Sequence, residues 1–275
     1  MICFNLFKLV YLLSMGFSLR FLFKVALSKT YFFFCLFFLN AISFYPQDSI
    51  LVFDRPGISD SPYLAKKGHF LIESGFSIQP GSSISEIMNP GVILRKSVFK
   101  KGELRMSYHT LPQSNVINEI SKALSSANFS IGYKQKLLYE KSWIPELALM
   151  MNVTGNNLSS RFKYFTTETY LLLHHNITEK FGLNSNLGFI RINSPGTDLG
   201  FFSLCVNYNF HHKFGMFVEN FNYWHSQSGF LENAFDVGAV FMIHDKIQFD
   251  FSCIMNQNSY REFQNTFGLG FSFQI

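Results

Sequence analysis

Acidic and basic residues in this chain fall at alternate positions inside otherwise apolar stretches, and this placement is where chemistry is first legible. Glu73 lies in FLIESGFSI, Arg95 in GVILRKS, Glu103 and Arg105 in GELRMSY, Lys134 and Lys136 in IGYKQKLL, and Glu146 in PELALMM. Glu168, Glu219, Asp236 and Asp250 occupy similar positions further along. Successive side chains of an extended strand point to opposite faces. These groups therefore share one face with Gly, Ser and Asn and leave the other face apolar. Charges on an interior face are tolerable only when paired or hydrated. Two readings stay open: both signs line a passage that guides polar solutes or gates them through ion pairs, or the charges pair with one another to fill a narrow interior.

Other reactive residue types give weaker signals. His174–His175 and His211–His212 are adjacent pairs, so on a strand each pair splits between two faces and makes no two-ligand metal site. His225 precedes Ser226 in WHSQSG. Hydrolysis by a serine needs a base held against it and a third group to orient that base, which neighbours in sequence do not supply. No G-x-S-x-G, Walker, Rossmann or zinc pattern occurs. No catalytic residue, metal or cofactor is expected, and a membrane-embedded lipid hydrolase is kept only as a minor alternative.

The elements that position these groups are strands. The chain ends on NTFGLGFSFQI, where Phe267, Leu269, Phe271, Phe273 and Ile275 alternate with Gly268, Gly270, Ser272 and Gln274. The same period runs through Phe70–Ile78, Glu103–His109, Phe129–Leu137, Phe202–Phe210 and Ile247–Met255. Five short polar turns, around Lys101, Lys141, Lys180, Lys213 and Lys246, alternate with longer, more variable segments, and the last three lysines are 33 residues apart. That spacing fits two strands and a loop. Twelve strands result, with both ends on the short-turn side, as in a transmembrane antiparallel up-and-down β-barrel. Aromatic girdles are expected from Phe99, Tyr139, Trp143, Phe181 and Phe214 at one rim and Tyr164, Tyr223, Trp224 and Tyr260 at the other.

The N-terminus differs from the body. YFFFCLFFL (31–39) follows Arg20, Lys24 and Lys29, and is too short for a bilayer-spanning helix, which needs ~20 residues. Ala41 and Ser43 supply small residues for cleavage, so 1–43 is expected to be a signal peptide, with an uncleaved anchor as the alternative. That segment holds four of the 23 Lys/Arg and none of the 18 Asp/Glu, so its removal takes the formal charge from +5 to +1 and leaves no nucleic-acid footprint. Cys205 and Cys253 are then the only cysteines, too few for a disulfide framework. With 35 phenylalanines and no long uncharged apolar run after residue 43, the lipid face of a closed barrel is the natural place for the rings.

The stretch FDRPGISDSPYLAKKGHFLIESGFS (53–77) resembles the start of an outer-membrane family labelled "meta-pathway of phenol degradation", or simply transporter. Asp54, Arg55 and Pro56, then Ser61, Pro62 and Tyr63, then Gly68 and Glu73 carry the resemblance. Similar spacing returns at 89–107, 130–140, 214–221, 236–252 and 267–273, whereas NVTGN (152–156) departs from the Pro-x-Gly commoner in that family. The resemblance implies uptake of aromatic or other hydrophobic small molecules across the bacterial outer membrane. A structural envelope barrel without transport is the alternative. Expected partners are outer-membrane lipid, a small-molecule solute and the barrel-assembly machinery, which would read the C-terminal strand.

Residues 44–67 are too broken by proline to form a strand, and 68–275 form the expected barrel. The 44–67 segment is expected either to be a periplasmic leader or to fold into the barrel mouth as a plug. In the second case Asp54 and Arg55 would meet inward charges such as Arg105 and Glu73, with Tyr63 beside them.

Overall fold

The computed structural model describes residues 53–78, 87–109, 128–156, 164–193, 197–226, 229, 231–257 and 263–275. The expected signal segment, the start of the leader and most of the longer loops lie outside them. Twelve strands are formed: β1 (Phe70–Ile78), β2 (Ile87–Phe99), β3 (Gly102–His109), β4 (Asn128–Leu138), β5 (Glu146–Asn156), β6 (Tyr164–Asn176), β7 (Phe181–Ile192), β8 (Thr197–His211), β9 (Phe214–His225), β10 (Leu231–His244), β11 (Ile247–Gln257) and β12 (Phe263–Gln274). Each pairs antiparallel with its successor, and β12 returns to β1 to close the barrel. Ile275 completes this seam, exchanging backbone hydrogen bonds of 2.8 and 3.0 Å with Phe70.

Alternation in the sequence becomes inside and outside in space. On β11, Phe249 and Phe251 are 49% and 41% exposed, while Asp250 and Ser252 between and beside them are buried in the lumen. The outward rings line up across strands. Phe214 is opposite Phe241, Phe241 opposite Phe249, and Phe249 opposite Phe271, making one row from β9 to β12. Phe214 and Phe241 stack with centroids 4.7 Å apart. A belt of this extent is far larger than the apolar patches that soluble monomers expose. Closure leaves no unpaired edge, so the backbone is satisfied within lipid. The barrel is of the outer-membrane type, as the sequence pattern predicts.

The short turns connect β2–β3, β4–β5, β6–β7, β8–β9 and β10–β11, where the sequence placed them. Most of the irregularities in strand pairing gather at this rim: the register shifts between Ser97 and Phe99, Lys136 and Leu138, Asn209 and His211, and Met242 and His244. Each is a local bulge that absorbs an extra residue.

Tyr223 corrects the girdle expected at the longer-loop rim. It packs with Phe201 and Phe221 on the lumen side, at ring centroid distances of 5.0 and 6.2 Å. Trp224, the next residue, takes the outward position. The reason is parity: β9 buries Phe217, Glu219 and Phe221, and Tyr223 continues that row. The side chains of Tyr164 and Tyr260 lie outside those described. Cys205 is buried and Cys253 half-buried, both free, on opposite faces of their strands.

Candidate functional site: a loop held inside the barrel

Residues 53–69 rise into the lumen from the short-turn end and return to it before β1 begins. Phe53 packs with Ala65, Leu71 and Met242 near that end. The tip around Gly57–Ser59 reaches Glu219 on β9 and Ser203 on β8. An irregular backbone at membrane depth is tolerated only where protein satisfies its polar groups, and the wall does so. Glu73 accepts from the N–H groups of Asp54 (3.3 Å) and Arg55 (3.0 Å), Glu219 from that of Ile58 (2.8 Å), and Glu103 from that of Ala65 (2.5 Å). In return, Gln248 donates to the Arg55 carbonyl, Lys134 to that of Ser61 and Arg95 to that of Tyr63.

Asp54 is the electrostatic centre. Its Oδ2 lies 3.0 Å from Arg95, 2.6 Å from Arg105 and 2.9 Å from Lys134, while Ser61 donates to Oδ1 through its backbone N–H and its hydroxyl. Burial alone would raise this carboxyl. The surrounding cations, Arg95, Lys134 and Arg105, outweigh it and hold Asp54 well below the ordinary carboxylate range. The cations are themselves built in: Arg95 also bonds Glu73 (2.7 Å) and Glu103 (2.9 Å), and Arg105 bonds Asp60 (2.8 Å). Burial pushes the Asp60 carboxyl up despite that partner. Lys136 pairs with Glu146 and lies 5.1 Å from the centre of the Tyr63 ring. Burial pushes the Tyr63 hydroxyl up to about 12, so it stays a neutral hydrogen-bonding group.

Arg55 shows how the wall makes room. Its guanidinium reaches Asp250 at 3.0 Å and lies across Gly75 and Gly270, where a Cβ on either glycine would collide with it. Those glycines are paired with each other across the β1–β12 seam, and Gly270 is opposite Asp250. Glu73, the partner the sequence suggests for Arg55, takes its backbone N–H instead.

All the inward residues singled out from the sequence are in the lumen, but they divide. Arg95, Glu103, Arg105, Lys134, Glu73 and Asp250 contact the loop through ion pairs or hydrogen bonds, and Lys136 pairs with Glu146 beside them. Glu219 holds the loop tip, accepting from Ser59 as well as Ile58. Asp236 is fully buried directly opposite Glu219 on the neighbouring strand, and no side chain among the described residues donates to it. Sequence reasoning missed Ser59, Asp60, Ser203 and Gln248, whose types are ordinary in any lumen or loop. It also missed an inward aromatic cluster on β6–β10, in which Ile190, Phe201, Phe221 and Ala234 are buried against Tyr170, Tyr223 and the loop residue Ile58. Rings on both faces of FGMFVENFNYWH were the available signal.

Above the loop is a cavity of about 540 Å³. Arg55, Ile58 and Asp60 belong to its floor, and its walls include His109, Glu168 and Ile254. His174, His175, His225 and the candidate nucleophile Ser226 have separate partners among the described residues. His174 bonds Asn184 inside the barrel at 2.5 Å, whereas His175 meets Glu140 at 2.9 Å. His225 bonds Glu232 at 2.8 Å, and the Ser226 hydroxyl donates to the Asp198 carbonyl at 2.8 Å.

No known family model matches the sequence, and neither does any curated protein. Solved structures do match in fold. An outer membrane channel from Pseudomonas putida F1 superposes with a TM-score of 0.55 at 10% identity, covering 80% of this chain and 99% of that one. The KdgM porin in complex with disordered oligogalacturonate gives 0.54 at 10% identity, covering 74% and 98%. The NanC porin gives 0.52 at 9% identity, with the same coverage. These likenesses establish the architecture: this chain has the fold of outer-membrane channels and porins.

Proposed function

We propose that this protein is an outer-membrane channel for small solutes whose own residues 53–69 close the lumen as a gate. The observation that carries this reading is the loop itself, seated in the barrel by ion pairs to Asp54 and Arg55 and by wall carboxylates on its backbone. The three fold relatives described above are named as a channel or a porin, and one of them was solved in complex with oligogalacturonate. The resemblance of residues 53–77 to the phenol meta-pathway family supports aromatic or hydrophobic solutes within that class, and the lumen rings are consistent with it. In the same reading, residues 1–43 direct export, residues 68–275 form the membrane domain, and β12 is the strand presented to the assembly machinery. The protein acts by passage and not by catalysis, in keeping with the separate bonding of His225 and Ser226.

A filled lumen is also what a purely structural envelope barrel would have. Deleting residues 46–64 while retaining the export segment separates the two. A gated channel gains several-fold in single-channel conductance and in the rate of liposome swelling by small solutes. Unchanged conductance in a barrel that still shifts on unboiled gels would remove the gating reading and favour the structural one.

A further inference from the structure

The short-turn rim carries positive charge that the protein itself does not answer. Its five turns hold six lysines, Lys100, Lys101, Lys141, Lys180, Lys213 and Lys246, against Glu140, Glu179 and Asp245. Lys66 and Lys67 stand at the same rim, just ahead of β1. Glu140 is already taken by Asn176 at 2.6 Å and His175 at 2.9 Å. Among the described residues these lysines have no carboxylate partner, and lysine ion pairs are confined to Lys134 and Lys136 in the lumen. The backbone fixes the arrangement. Lys101, Lys180, Lys213 and Lys246 each immediately precede a strand, β3, β7, β9 and β11. Their carbonyls accept from the N–H groups of Lys136, Asn209, Met242 and Gln274, each on the strand that follows, at 2.8 or 2.9 Å. At the opposite rim, by contrast, the described acids have neighbours: Asp198 lies 3.9 Å from Arg191, and Glu232 bonds His225.

The apolar belt ends at these same positions. Phe99, Trp143, Ile177 and Ile247 are exposed within three residues of Lys100, Lys141, Lys180 and Lys246. Lys96, on the outer face of β2, brings its ammonium group over the Phe70 ring at 4.1 Å. Lys101 lies 5.4 Å from the centre of the Tyr139 ring, which joins it to the turn of Lys141 and Trp143. A lysine so placed lays its stem on apolar surface and keeps its charge at the headgroup level. In an outer-membrane barrel the short turns are periplasmic, so the lipid at this height belongs to the phospholipid leaflet. Clustered lysines beside a membrane attract anionic headgroups, and their effects accumulate. We propose that the short-turn rim is a binding collar for anionic phospholipid, with Lys101 and Lys141 as its seat beside Trp143. The ammonium groups take the headgroup phosphates, and the bordering apolar side chains take the first carbons of the acyl chains. A soluble acidic polymer would meet the lysines but make no use of the apolar residues next to them. The collar goes beyond the channel reading and does not depend on it.

The two tryptophans of the chain stand at opposite rims and give the test. Trp143, 81% exposed, is in the β4–β5 turn, and Trp224 is near the far end of β9. Trp224→Phe leaves only the first as a fluorophore of this type, and Trp143→Phe only the second. Each full-length variant is placed in phosphatidylcholine vesicles containing phosphatidylglycerol or phosphatidylcholine brominated on the acyl chains near the headgroup. Bromine quenches an adjacent indole, so the ratio of quenching by the two lipids reports their relative occupancy. At low salt phosphatidylglycerol should be enriched roughly threefold at Trp143 and not at Trp224. Salt at about 1 M should bring the ratio at Trp143 near one. Lys101→Gln with Lys141→Gln, which removes both charges and keeps extended polar side chains, should do the same at low salt, once the unboiled-gel shift shows a folded barrel. If that variant does not assemble, the salt series and the comparison of the two rims decide. Equal quenching by both lipids at Trp143, an equal preference at both tryptophans, or a preference that survives loss of both lysines would overturn the collar. None of these results would touch the channel reading.

Discussion

Along β11, β12 and β1–β4 the wall meets residues 53–65 through ion pairs and charged hydrogen bonds, whereas along β6–β10 it meets them through Glu219, Ser203 and a bed of rings. The first arc is directional. Asp54 fits among Arg95, Arg105 and Lys134 in one position, and displacement leaves those cations buried without it. The second arc is mostly non-directional, because apolar contact depends on area and not on angle. One loop is therefore fixed at its foot and only rested at its tip, which is the asymmetry a gate needs if it is to open without leaving the barrel.

Asp54→Asn should break that contrast most severely. It withdraws the charge shared by Arg95, Arg105 and Lys134, and loss of one partner of a buried ion pair costs on the order of 3–5 kcal/mol. Urea unfolding in micelles should show the loss, and single-channel recordings should show a larger open fraction. The same residue sets a pH window. Its folded-state pKa lies below the unfolded value of about 3.9, so the anchoring is fully present above about pH 4. It is lost only as pH falls through the folded value. Release of the loop between pH 5 and 7 would mean that Asp54 is not its anchor.

Gly270→Val acts on the same arc from the wall side. Its branched side chain would occupy the seat of the Arg55 guanidinium and separate it from Asp250. Overpacking of this kind costs about 1–3 kcal/mol, with a matching rise in conductance as Arg55 is expelled. A variant as stable and as closed as the original would show that Arg55 has another place to bind. The smallest effect is expected on the other arc. Glu219→Gln keeps one oxygen to accept from the Ile58 N–H, and its new amide N–H group can donate to the Ser59 hydroxyl, which then turns its own proton to Ser203. The variant should therefore lose only about 1 kcal/mol. A loss equal to that of Asp54→Asn would erase the distinction between fixed foot and rested tip.

The fold was largely legible because lipid outside a closed sheet enforces strict alternation. Phe249, Asp250, Phe251 and Ser252 announce their faces without help from any other strand. Turn lysines then count the strands. The lumen was less legible where its own contents relax that rule. Phe217, Phe221 and Tyr223 face inward while Met216, Val218 and Trp224 face out, so the polarity of β9 alternates only at Glu219, and Tyr223 reads as a membrane-interface residue. The partner of Arg55 was hidden for a different reason. Sign alone permits Glu73 or Asp250, and the choice is made by two glycines, 75 and 270, brought side by side across the closing seam. Nothing local in the sequence links positions so far apart.

The bulges at the short-turn rim bear on how such a chain stays in phase while it is being assembled. A one-residue slip in any hairpin would exchange its two faces, turning phenylalanines inward and carboxylates into lipid. At Ser97/Phe99, Lys136/Leu138, Asn209/His211 and Met242/His244 the odd residue is taken up next to the turn, before the membrane belt begins. The rim thus works as a phase corrector: turn lengths can vary by a residue there while the strands beyond keep their parity. An extra residue inserted beside Phe251 has no such refuge, and would invert everything downstream of it to the end of its strand.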